Sequence, residues 1–353
     1  MNLKTLREKI DAIDQKIITL LNDRASVSLG IGKIKLRHKA GIYSPDREKQ
    51  VLERIQRLNK GPMTREAFEA IYREVMSASL SLEKPLNIAY LGPRASFTNQ
   101  AAMKKFGSQV TYVSCDNISE IFGKVDKGEC DYGVVPIENS IEGAVTHTFD
   151  LLVDSELKIC SQILLEISHN LLSKISLKKI KKVYSNPQVF GQCRHWLIHN
   201  LPQADQIEVS STTKAAQIAA KERGSACIAS TLAATVYNLK VLQADIEDIP
   251  HNITRFLVIA NRDVPPTGKD RTSIVFSIKD KVGALHSMLT PFYKNKINLT
   301  KIESRPSKKK AWDYYFFVDF KGHRLDHHVR RALGQLEGKC KYLKILGSYP
   351  VLE

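Results

Sequence analysis

The sequence lacks any hydrophobic run long enough to cross a membrane. A spanning helix needs about 20 consecutive apolar residues, and no run in the 353-residue chain approaches that length. The first residues, MNLKTLREKIDAID, alternate charged and aliphatic side chains, which matches neither a signal peptide nor a transit peptide. We therefore expect a soluble, cytoplasmic protein without a membrane partner.

Cysteine is scarce and scattered. No CxxC pair and no Cys/His cluster is present, which argues against a zinc site or a redox motif. We expect reduced, mostly buried thiols and no metal. The six cysteines are Cys115, Cys130, Cys160, Cys193, Cys227 and Cys340.

Acidic residues are outnumbered by basic ones, 37 against 53, so the formal net charge is +16 at pH 7. Such a charge attracts anionic partners, either nucleic acid or acidic small molecules, and does not choose between them. The lysine runs at 174–182 and 307–310 have no interleaved aromatic residues. We interpret both runs as solvated surface rather than as nucleic-acid-binding patches.

Residues 1–84 contain no convincing strand. They predict an all-α domain whose first helix exceeds 30 residues, with a second helix from about Pro45 and a third over 64–83. A helix that long cannot fold back on itself, so we expect it to pair with a second subunit. Its apolar residues recur at steps of three and four, as in a coiled-coil seam: Leu3, Leu6, Ile10, Ile13, Ile17, Leu20, Val27, Ile31 and Ile34.

The pattern changes after residue 85. Over 86–262, short apolar strands alternate with helices, which predicts parallel α/β layers in two lobes, a periplasmic-binding-protein-like arrangement. The stretch 160–172 reads as one long strand crossing between the lobes. After a linker at 262–270, residues 272–353 follow the order βαββαβ of an α+β ferredoxin-like domain. Pro291 is expected to end the first helix of that domain early.

Basic residues interrupt the first helix. Arg24 and Lys35 are eleven residues apart and share a face, ~16 Å apart along the axis, whereas Arg7 lies ~25 Å from Arg24. Arg7 can reach that site only from the partner in an antiparallel dimer. The residues alone leave two interpretations open: an ordinary charged face, or a site for a small dianion. An arginine inside an apolar seam favours the site, because a buried cation needs a partner.

The motifs LREKIDAIDQKIITLLNDR, GKIK and DREKQVLER resemble the all-helical chorismate mutases. The resemblance implies a pericyclic conversion of chorismate to prephenate, without nucleophile, metal or cofactor, through positioning and electrostatic stabilisation. It also implies the role of each residue. Carboxylates of the substrate would be bound by Arg24, Arg47 and the partner's Arg7, the ether oxygen by Lys35 and the hydroxyl by Glu48, while Ser79 would line the site.

Glu83 stands where some members of that family have a glutamine facing the ether oxygen. An ionised carboxylate would repel the negative charge that develops there, so we hypothesise that Glu83 is protonated in the working enzyme. A second departure is Ser44, which occupies the place of the family's aspartate three residues before Arg47.

Four further motifs, YLGPRASFT, VVPIENSIEGAV, VYSNPQVFGQCRHWL and NITRFLVI, together resemble prephenate dehydratases over about residues 86–262. The resemblance implies loss of water and carbon dioxide from prephenate to give phenylpyruvate, with no cofactor. Thr254 would donate to the departing hydroxyl as one member of a polar network. Arg255 would face the cleft or hold its wall, although neighbouring strand residues point to opposite faces.

Four other polar residues follow the carboxyl ends of strands, where open α/β sheets bind ligands. Each also has a structural interpretation. Ser96 and Thr98 can simply cap a helix, and Asn139 and Ser140 can simply form a turn. The loop 94–96 reads Arg-Ala-Ser where the family usually has Glu-Gly-Thr, and loss of the glycine restricts the backbone. His147 and His169 are more often structural than catalytic in such settings.

The motifs KVGALHSML and NLTKIESRP resemble the regulatory ACT module. The implied ligand is L-phenylalanine, bound between the modules of two subunits, with backbone amides at a helix start suited to its carboxylate. The implied consequence is feedback inhibition of the dehydratase. The residues concerned are Gly283, Ala284, Leu285, Asn298, Leu299, Glu303, Ser304 and Arg305.

The three resemblances predict a bifunctional enzyme of L-phenylalanine biosynthesis, a homodimer or higher oligomer, with no nucleic-acid partner. Two alternatives stay open. One is an effector-controlled DNA-binding regulator, which would need a short helix-turn-helix. The other is a scaffold that has lost one activity, suggested by Ser44, Glu83 and the loop 94–96.

Overall fold

The computed structural model of the chain describes residues 2–38, 41–278, 282–307 and 314–351. Three domains follow one another, as the sequence predicted: helices, a two-lobed α/β domain and a βαββαβ domain. The first holds α1 (Leu3–Arg37), α2 (Pro45–Leu58) and α3 (Arg65–Glu83). Asn2 caps α1 by accepting a hydrogen bond from the Thr5 amide at 2.9 Å, and Pro45 supplies the first residue of α2.

Among the described residues, it is the carboxyl half of α1 that packs against the rest of the chain. Gly32 lies against α3 so closely that an added Cβ would stand 2.9 Å from the Cβ of Glu83. The amino half keeps its apolar seam exposed, with 56% of Ile10 and 47% of Ile17 accessible to solvent. A helix of 35 residues therefore extends beyond the body that supports it.

Lobe 1 of the α/β domain (86–166 and 253–262) is a six-stranded sheet in the order β2-β1-β3-β11-β5, with the short β4 beside β3. Helices α4 to α6 flank it. Its elements are β1 (Asn87–Leu91), α4 (Phe97–Phe106), β2 (Thr111–Cys115), α5 (Ile118–Asp126), β3 (Tyr132–Asn139), β4 (Gly143–Ala144), α6 (Thr146–Asp154), β5 (Lys158–Glu166) and, after the excursion through lobe 2, β11 (Ile253–Ala260).

Lobe 2 (170–243) is a five-stranded sheet in the order β10-β6-β9-β7-β8. One 3-10 turn, Leu177–Lys179, precedes β7. The other elements are β6 (Asn170–Ser173), β7 (Lys182–Ser185), α7 (Pro187–Gln192), α8 (Arg194–Asn200), β8 (Asp205–Glu208), α9 (Thr212–Ala219), β9 (Ser225–Ala229), α10 (Thr231–Tyr237) and β10 (Lys240–Gln243).

Two details of the sequence prediction are wrong. The stretch 160–172 is not one strand: β5 ends at Glu166 and β6 begins at Asn170, in different sheets. Between these strands the Ile167 amide donates to the Asn252 carbonyl at 2.7 Å, so the chain pairs there with the segment that returns from lobe 2 to lobe 1. The sheets are also mixed rather than parallel, because the chain re-enters lobe 1 in the reverse direction and β11 runs antiparallel to both its neighbours.

The third domain is an antiparallel sheet in the order β13-β14-β12-β15, the ferredoxin-like topology that the sequence predicted. Pro291 does not end α11 early. It lies inside the helix, buried, and three further helical residues follow before Asn295 caps the end. The elements are β12 (Asp270–Ser277), α11 (Ala284–Lys294), β13 (Leu299–Pro306), β14 (Tyr314–Lys321), α12 (His327–Glu337) and β15 (Tyr342–Pro350).

The domains are joined by shared cores rather than by linkers alone. Val275, Phe317 and Tyr349 of the third domain belong to the same buried cluster as the β3 and β5 side chains of lobe 1. Ile42 and Tyr43, from the loop before α2, belong to the other core of lobe 1. Movements of one domain are therefore felt directly by its neighbour.

All six cysteines are free thiols, and five are buried. Burial raises the pKa of Cys160 to about 12 and that of Cys115 to about 11, so these thiols are unreactive near neutral pH. Within the described ranges, no helix is both long and apolar enough to cross a membrane.

Candidate active sites

A cavity of about 470 Å³ lies between the three helices of the first domain and the end of α4. Its walls carry every mutase residue that the sequence singled out on its own subunit: Arg24, Lys35, Arg47, Glu48, Ser79 and Glu83. The Arg24 guanidinium donates to the Ser79 hydroxyl, which in turn donates to the Val75 carbonyl. Helix α1 thus presents both predicted cations to one cavity, an arrangement that their spacing allowed.

Lys35 and Glu83 form a salt bridge inside this cavity. The Lys35 ammonium stands 2.9 Å from Oε2 of Glu83 and also donates to the Ile42 carbonyl at 2.6 Å. Arg47 is exposed at the rim, where its guanidinium donates to Gln50 at 3.1 Å. The cavity lining therefore carries five basic side chains and two carboxylates, each of which is paired with a lysine, and this net positive charge suits a small dianion.

Glu48 is held from two sides. The Tyr43 hydroxyl donates to its Oε2 at 2.6 Å, and the ammonium of Lys105 lies 2.8 Å from the same oxygen. Burial, together with the adjacent Glu48, raises the pKa of Tyr43 well above its ordinary value, so that its hydroxyl stays a donor. Lys105 belongs to α4 and lies outside the helical segment from which the sequence prediction was made.

Arg7 does not line this cavity. It sits on the amino half of α1, whose side chains are all exposed among the described residues. That placement agrees with the sequence argument that Arg7 can serve a site only in a partner subunit.

Thr254 lies at the junction of the two lobes, eight per cent exposed, in a chain of polar side chains. The Asn139 amide donates to the Thr254 hydroxyl at 2.7 Å and to the Asn252 side-chain oxygen at 2.6 Å. The side-chain oxygen of Asn139 accepts from the backbone amides of Ile141 and Glu142 at 2.9 Å. Asn139 is thereby fixed with its donors toward Thr254, whose own proton can point to a ligand.

Gln192 of lobe 2 extends this network. Its side-chain oxygen lies 2.7 Å from Nε2 of His169 and accepts from Asn252 at 3.4 Å, while its amide donates to Glu142 at 2.9 Å. Burial lowers the pKa of His169, so the imidazole is neutral and donates from Nε2. Gln192 was missed, although it stands in the quoted motif VYSNPQVFGQCRHWL, because the motif alone does not tell which polar residue turns inward.

The other predicted dehydratase contacts have structural partners. Ser96 caps α4 by accepting from the Asn99 amide at 3.2 Å and donates to the Leu91 carbonyl at 2.7 Å. The Ser140 hydroxyl accepts from the Ile253 amide at 2.9 Å and ties β3 to β11. Thr98 is buried in the first turn of α4. Ala95 adopts φ 72°, the left-handed conformation that the family's glycine would adopt without strain.

Arg255 is not a cleft residue. Its side chain points away from Thr254 to the other face of β11, where it donates to Asp319 at 2.6 Å, to Glu138 at 3.1 Å and to the Tyr349 hydroxyl at 2.8 Å. The prediction that it binds substrate is therefore corrected: it joins lobe 1 to the third domain. Strand alternation, noted from the sequence, supplies the reason, since Thr254 occupies the opposite face.

The chain matches three family models in order: chorismate mutase type II over residues 6–84, prephenate dehydratase over 88–264 and the ACT domain over 272–338. The bifunctional chorismate mutase/prephenate dehydratase of Aquifex aeolicus is 50% identical over 353 residues, covering 99% of this chain and 98% of the relative. That of Pseudomonas aeruginosa is 43% identical over 355 residues, covering 99% and 97%.

The chain belongs to the bifunctional chorismate mutase/prephenate dehydratases. Among solved structures, the prephenate dehydratase of Arthrobacter aurescens in complex with L-Phe superposes with a TM-score of 0.70 at 34% identity, covering 75% of this chain and 90% of that one. The matches support neither the DNA-binding alternative nor the loss of one activity. In this bifunctional enzyme the helical cavity is accordingly the mutase domain's candidate site and the Thr254 network the dehydratase domain's.

The ACT residues of the bifunctional enzyme fall into two groups. Gly283, with φ 73°, precedes α11, and the segment 303–305 lies in the carboxyl half of β13, where Arg305 pairs with Tyr315. Asn298 and Leu299 lie at the opposite end of β13, about 20 Å away at ~3.3 Å per residue. One chain therefore does not bring all eight predicted residues together.

Proposed function

We propose that the two sites act in sequence, with the residue roles that the family resemblance implies. In the mutase cavity, Arg24 and Arg47 bind the carboxylates of chorismate, Glu48 accepts its hydroxyl and Lys35 donates to the ether oxygen. The observation that carries this proposal is the convergence of these side chains on one cavity. A compact conformer held between fixed cations is what a pericyclic rearrangement needs.

In the dehydratase site, the Thr254 hydroxyl donates to the departing ring hydroxyl. The bond from the ring to its carboxylate breaks and carbon dioxide leaves, while the electron pair of that bond enters the ring. The bond to the ring hydroxyl breaks, and the departing hydroxide takes a proton from solvent and becomes water. Asn139 supports this step, because the hydrogen bond from its amide leaves the Thr254 proton available. Gln192 and Asn252 orient Asn139 and close the network from lobe 2.

The enzyme acts as a homodimer built on α1. The exposed apolar seam on the amino half of that helix is large enough to need cover, and an antiparallel copy would cover it. The same pairing would bring the partner's Arg7 to the mutase cavity. Free, buried thiols suit the reducing cytoplasm as the compartment of this dimer.

L-Phenylalanine inhibits the dehydratase by binding between two ACT domains. The separation of the two residue groups along β13 supports a site shared by two subunits. A short series of contacts connects the ACT domain to the dehydratase site. Strand β13 pairs with β14, Asp319 of β14 contacts Arg255, and Arg255 adjoins Thr254 in β11. Coupling requires that phenylalanine bind one arrangement of this interface better than the other.

The experiment for the whole proposal supplies chorismate to the purified protein and follows prephenate and phenylpyruvate with and without phenylalanine. We expect both products in turn, and less phenylpyruvate when phenylalanine is present. Asn298→Ala should weaken the inhibition at least about tenfold, typical of losing a coupling of 1–3 kcal/mol, with uninhibited rates unchanged. L-Alanine at the same concentration is the control. Prephenate accumulating alone, or indifference to phenylalanine, would contradict the corresponding part.

In this structure the Glu83 carboxylate pairs with Lys35 at 2.9 Å. We propose that bound chorismate displaces this pairing and that Glu83 then carries a proton, because an ionised carboxylate would repel the negative charge that develops on the ether oxygen. Only a protonated carboxyl can donate to the ether oxygen, so mutase activity should fall as rising pH removes the proton from Glu83 in the substrate complex. Glu83→Gln donates at every pH and should flatten the alkaline decline. The measurement is kcat against pH for both proteins, with the dehydratase profile as the internal control. If kcat of Glu83→Gln depends on pH in the same way as kcat of the parent, the hypothesis that Glu83 is protonated is rejected.

A further inference from the structure

Lys105 is a buried cation at the end of α4, in the dehydratase domain. Its side chain is only 7% exposed, and a buried ammonium is costly unless it is paired. Its partner is in another domain: Oε2 of Glu48, at 2.8 Å. The ion pair crosses from lobe 1 into the mutase cavity, whose wall includes both Lys105 and Phe106.

The second group that holds Glu48 also rests on lobe 1. Tyr43, whose hydroxyl donates to the same Oε2, packs its ring on Phe106 with centroids 5.0 Å apart and on Tyr132 at 5.4 Å. The position of the Glu48 carboxylate is therefore set by the dehydratase domain rather than by the helices that carry it.

Fixing Oε2 has a chemical consequence. Two donors engage that oxygen, so the acceptor capacity of Oε1 is available to the substrate hydroxyl at a residue that lines the cavity. The ammonium also offsets the repulsion between Glu48 and a dianionic substrate, which is strong in a site shielded from water.

We propose that Lys105 is a positioning residue of the mutase site, supplied to it by the dehydratase domain of the same chain. The proposal rests on the proposed role of Glu48. It makes the mutase site incomplete without lobe 1, and it explains why a lysine is buried beside Phe106 at the foot of a dehydratase helix.

The competing explanation is that Lys105 merely tethers two domains or complements the carboxyl end of α4. Lys104 is the matched comparison, because it lies in the same helical turn. It is exposed, and its ammonium donates to the Leu164 carbonyl at 2.8 Å, away from the mutase cavity. A helix-end effect would be shared by both lysines, whereas an effect through Glu48 belongs to Lys105 alone.

The test uses the full chain and measures kcat/KM with chorismate and, separately, with prephenate. We expect Lys105→Met to lower the mutase value between about 10- and 100-fold, as misplacement of a substrate-binding group does. Lys105→Arg should restore most of it, and Lys104→Met should resemble the parent. In all of these variants kcat/KM for prephenate should stay within about twofold of the parental value, because distant, independent sites influence each other by no more than that. Equal losses in both activities, or none in the mutase, would overturn the proposal.

A double-mutant cycle with Glu48 separates the possibilities. Glu48→Gln alone should impair the mutase, and adding Lys105→Met should then cost less than about twofold, since the group that Lys105 positions is already altered. A full additional loss in the Glu48→Gln background would show that Lys105 acts elsewhere and overturn the inference alone. An unimpaired Glu48→Gln would overturn the role proposed for Glu48 and the inference with it.

Discussion

Replacing Thr254 by valine should abolish phenylpyruvate formation and leave the conversion of chorismate to prephenate unchanged. Valine keeps the branched shape but lacks the hydroxyl that accepts from Asn139 and that we propose donates to the departing group. Removing one donor to a developing negative charge costs roughly 10²–10³ in kcat. The measurement is phenylpyruvate release from prephenate by the full-length variant, with prephenate production from chorismate assayed beside it.

Two controls accompany this substitution. Thr254→Ser retains the hydroxyl and should retain most of the activity, while Arg255→Lys alters the neighbouring residue on the other face of β11. A dehydratase rate within about threefold of the parent in Thr254→Val, a small fraction of the expected loss, would mean that Thr254 is a strand-end residue only. Loss of both activities would mean misfolding, which near-parental melting of the variant would exclude.

Mixing two inactive variants should restore mutase activity if the site is shared between subunits. Lys35→Gln and Arg7→Ala should each lower kcat by roughly 10²–10³ as homodimers, since each removes a charge that binds the substrate. In a hybrid dimer one site has its own Lys35 and the partner's Arg7 intact. Random reassortment of a two-fold dimer then gives about a quarter of all sites intact, and about a quarter of the parental activity.

The matched control for this mixing mixes Lys35→Gln with Arg24→Ala. Both residues line the same cavity of one chain, so no hybrid site is intact and no activity should return. Native mass spectrometry would verify that hybrids form in both mixtures. Hybrids without recovery in the first mixture would contradict the role of Arg7, and recovery in the second would contradict the assignment of Arg24 and Lys35 to one site.

The interface between lobe 1 and the ACT domain would give the proposed regulation a physical basis. Arg255, Asp319 and Tyr349 are buried together, and Lys301 pairs with Glu138 beside them. Glu138 adjoins Asn139 in β3 just as Arg255 adjoins Thr254 in β11. Two residues of the dehydratase network are thus one peptide bond away from charges that face the regulatory domain.

Local patterns decided the outline of the molecule. The seam of α1, the alternation of strands and helices and the βαββαβ order each follow from periodicity within one segment, and the structure confirms all three. The shared face of Arg24 and Lys35 was also predictable, because a single rigid helix fixes their spacing, but whether that face forms a site was left open by the residues alone. Thr254 and Asn139 were found through motifs whose residues stand close together in sequence.

Other features depended on segments far apart in the chain. The break between β5 and β6 arises from pairing with the return crossover, and the burial of Pro291 within α11 from the packing of its own domain. The sequence alone allowed two faces for Arg255, and only the docking of the ACT domain decided between them. A side chain's partner across a domain boundary is set by the sum of many contacts, which no local pattern records.

Lys105 shows most clearly the difference between what the sequence determines and what the tertiary structure determines. By sequence it is one of two adjacent lysines ending a helix of the dehydratase domain, and nothing distinguishes it from Lys104. In the fold, Tyr43 packs on lobe 1 and Glu48 lies 2.8 Å from Lys105, whereas Lys104 donates to the Leu164 carbonyl on lobe 1. The sequence by itself determined which domains and which chemistry this protein has; the tertiary structure decided which domain supplies each group, because burial and charge pairing depend on neighbours distant in the chain.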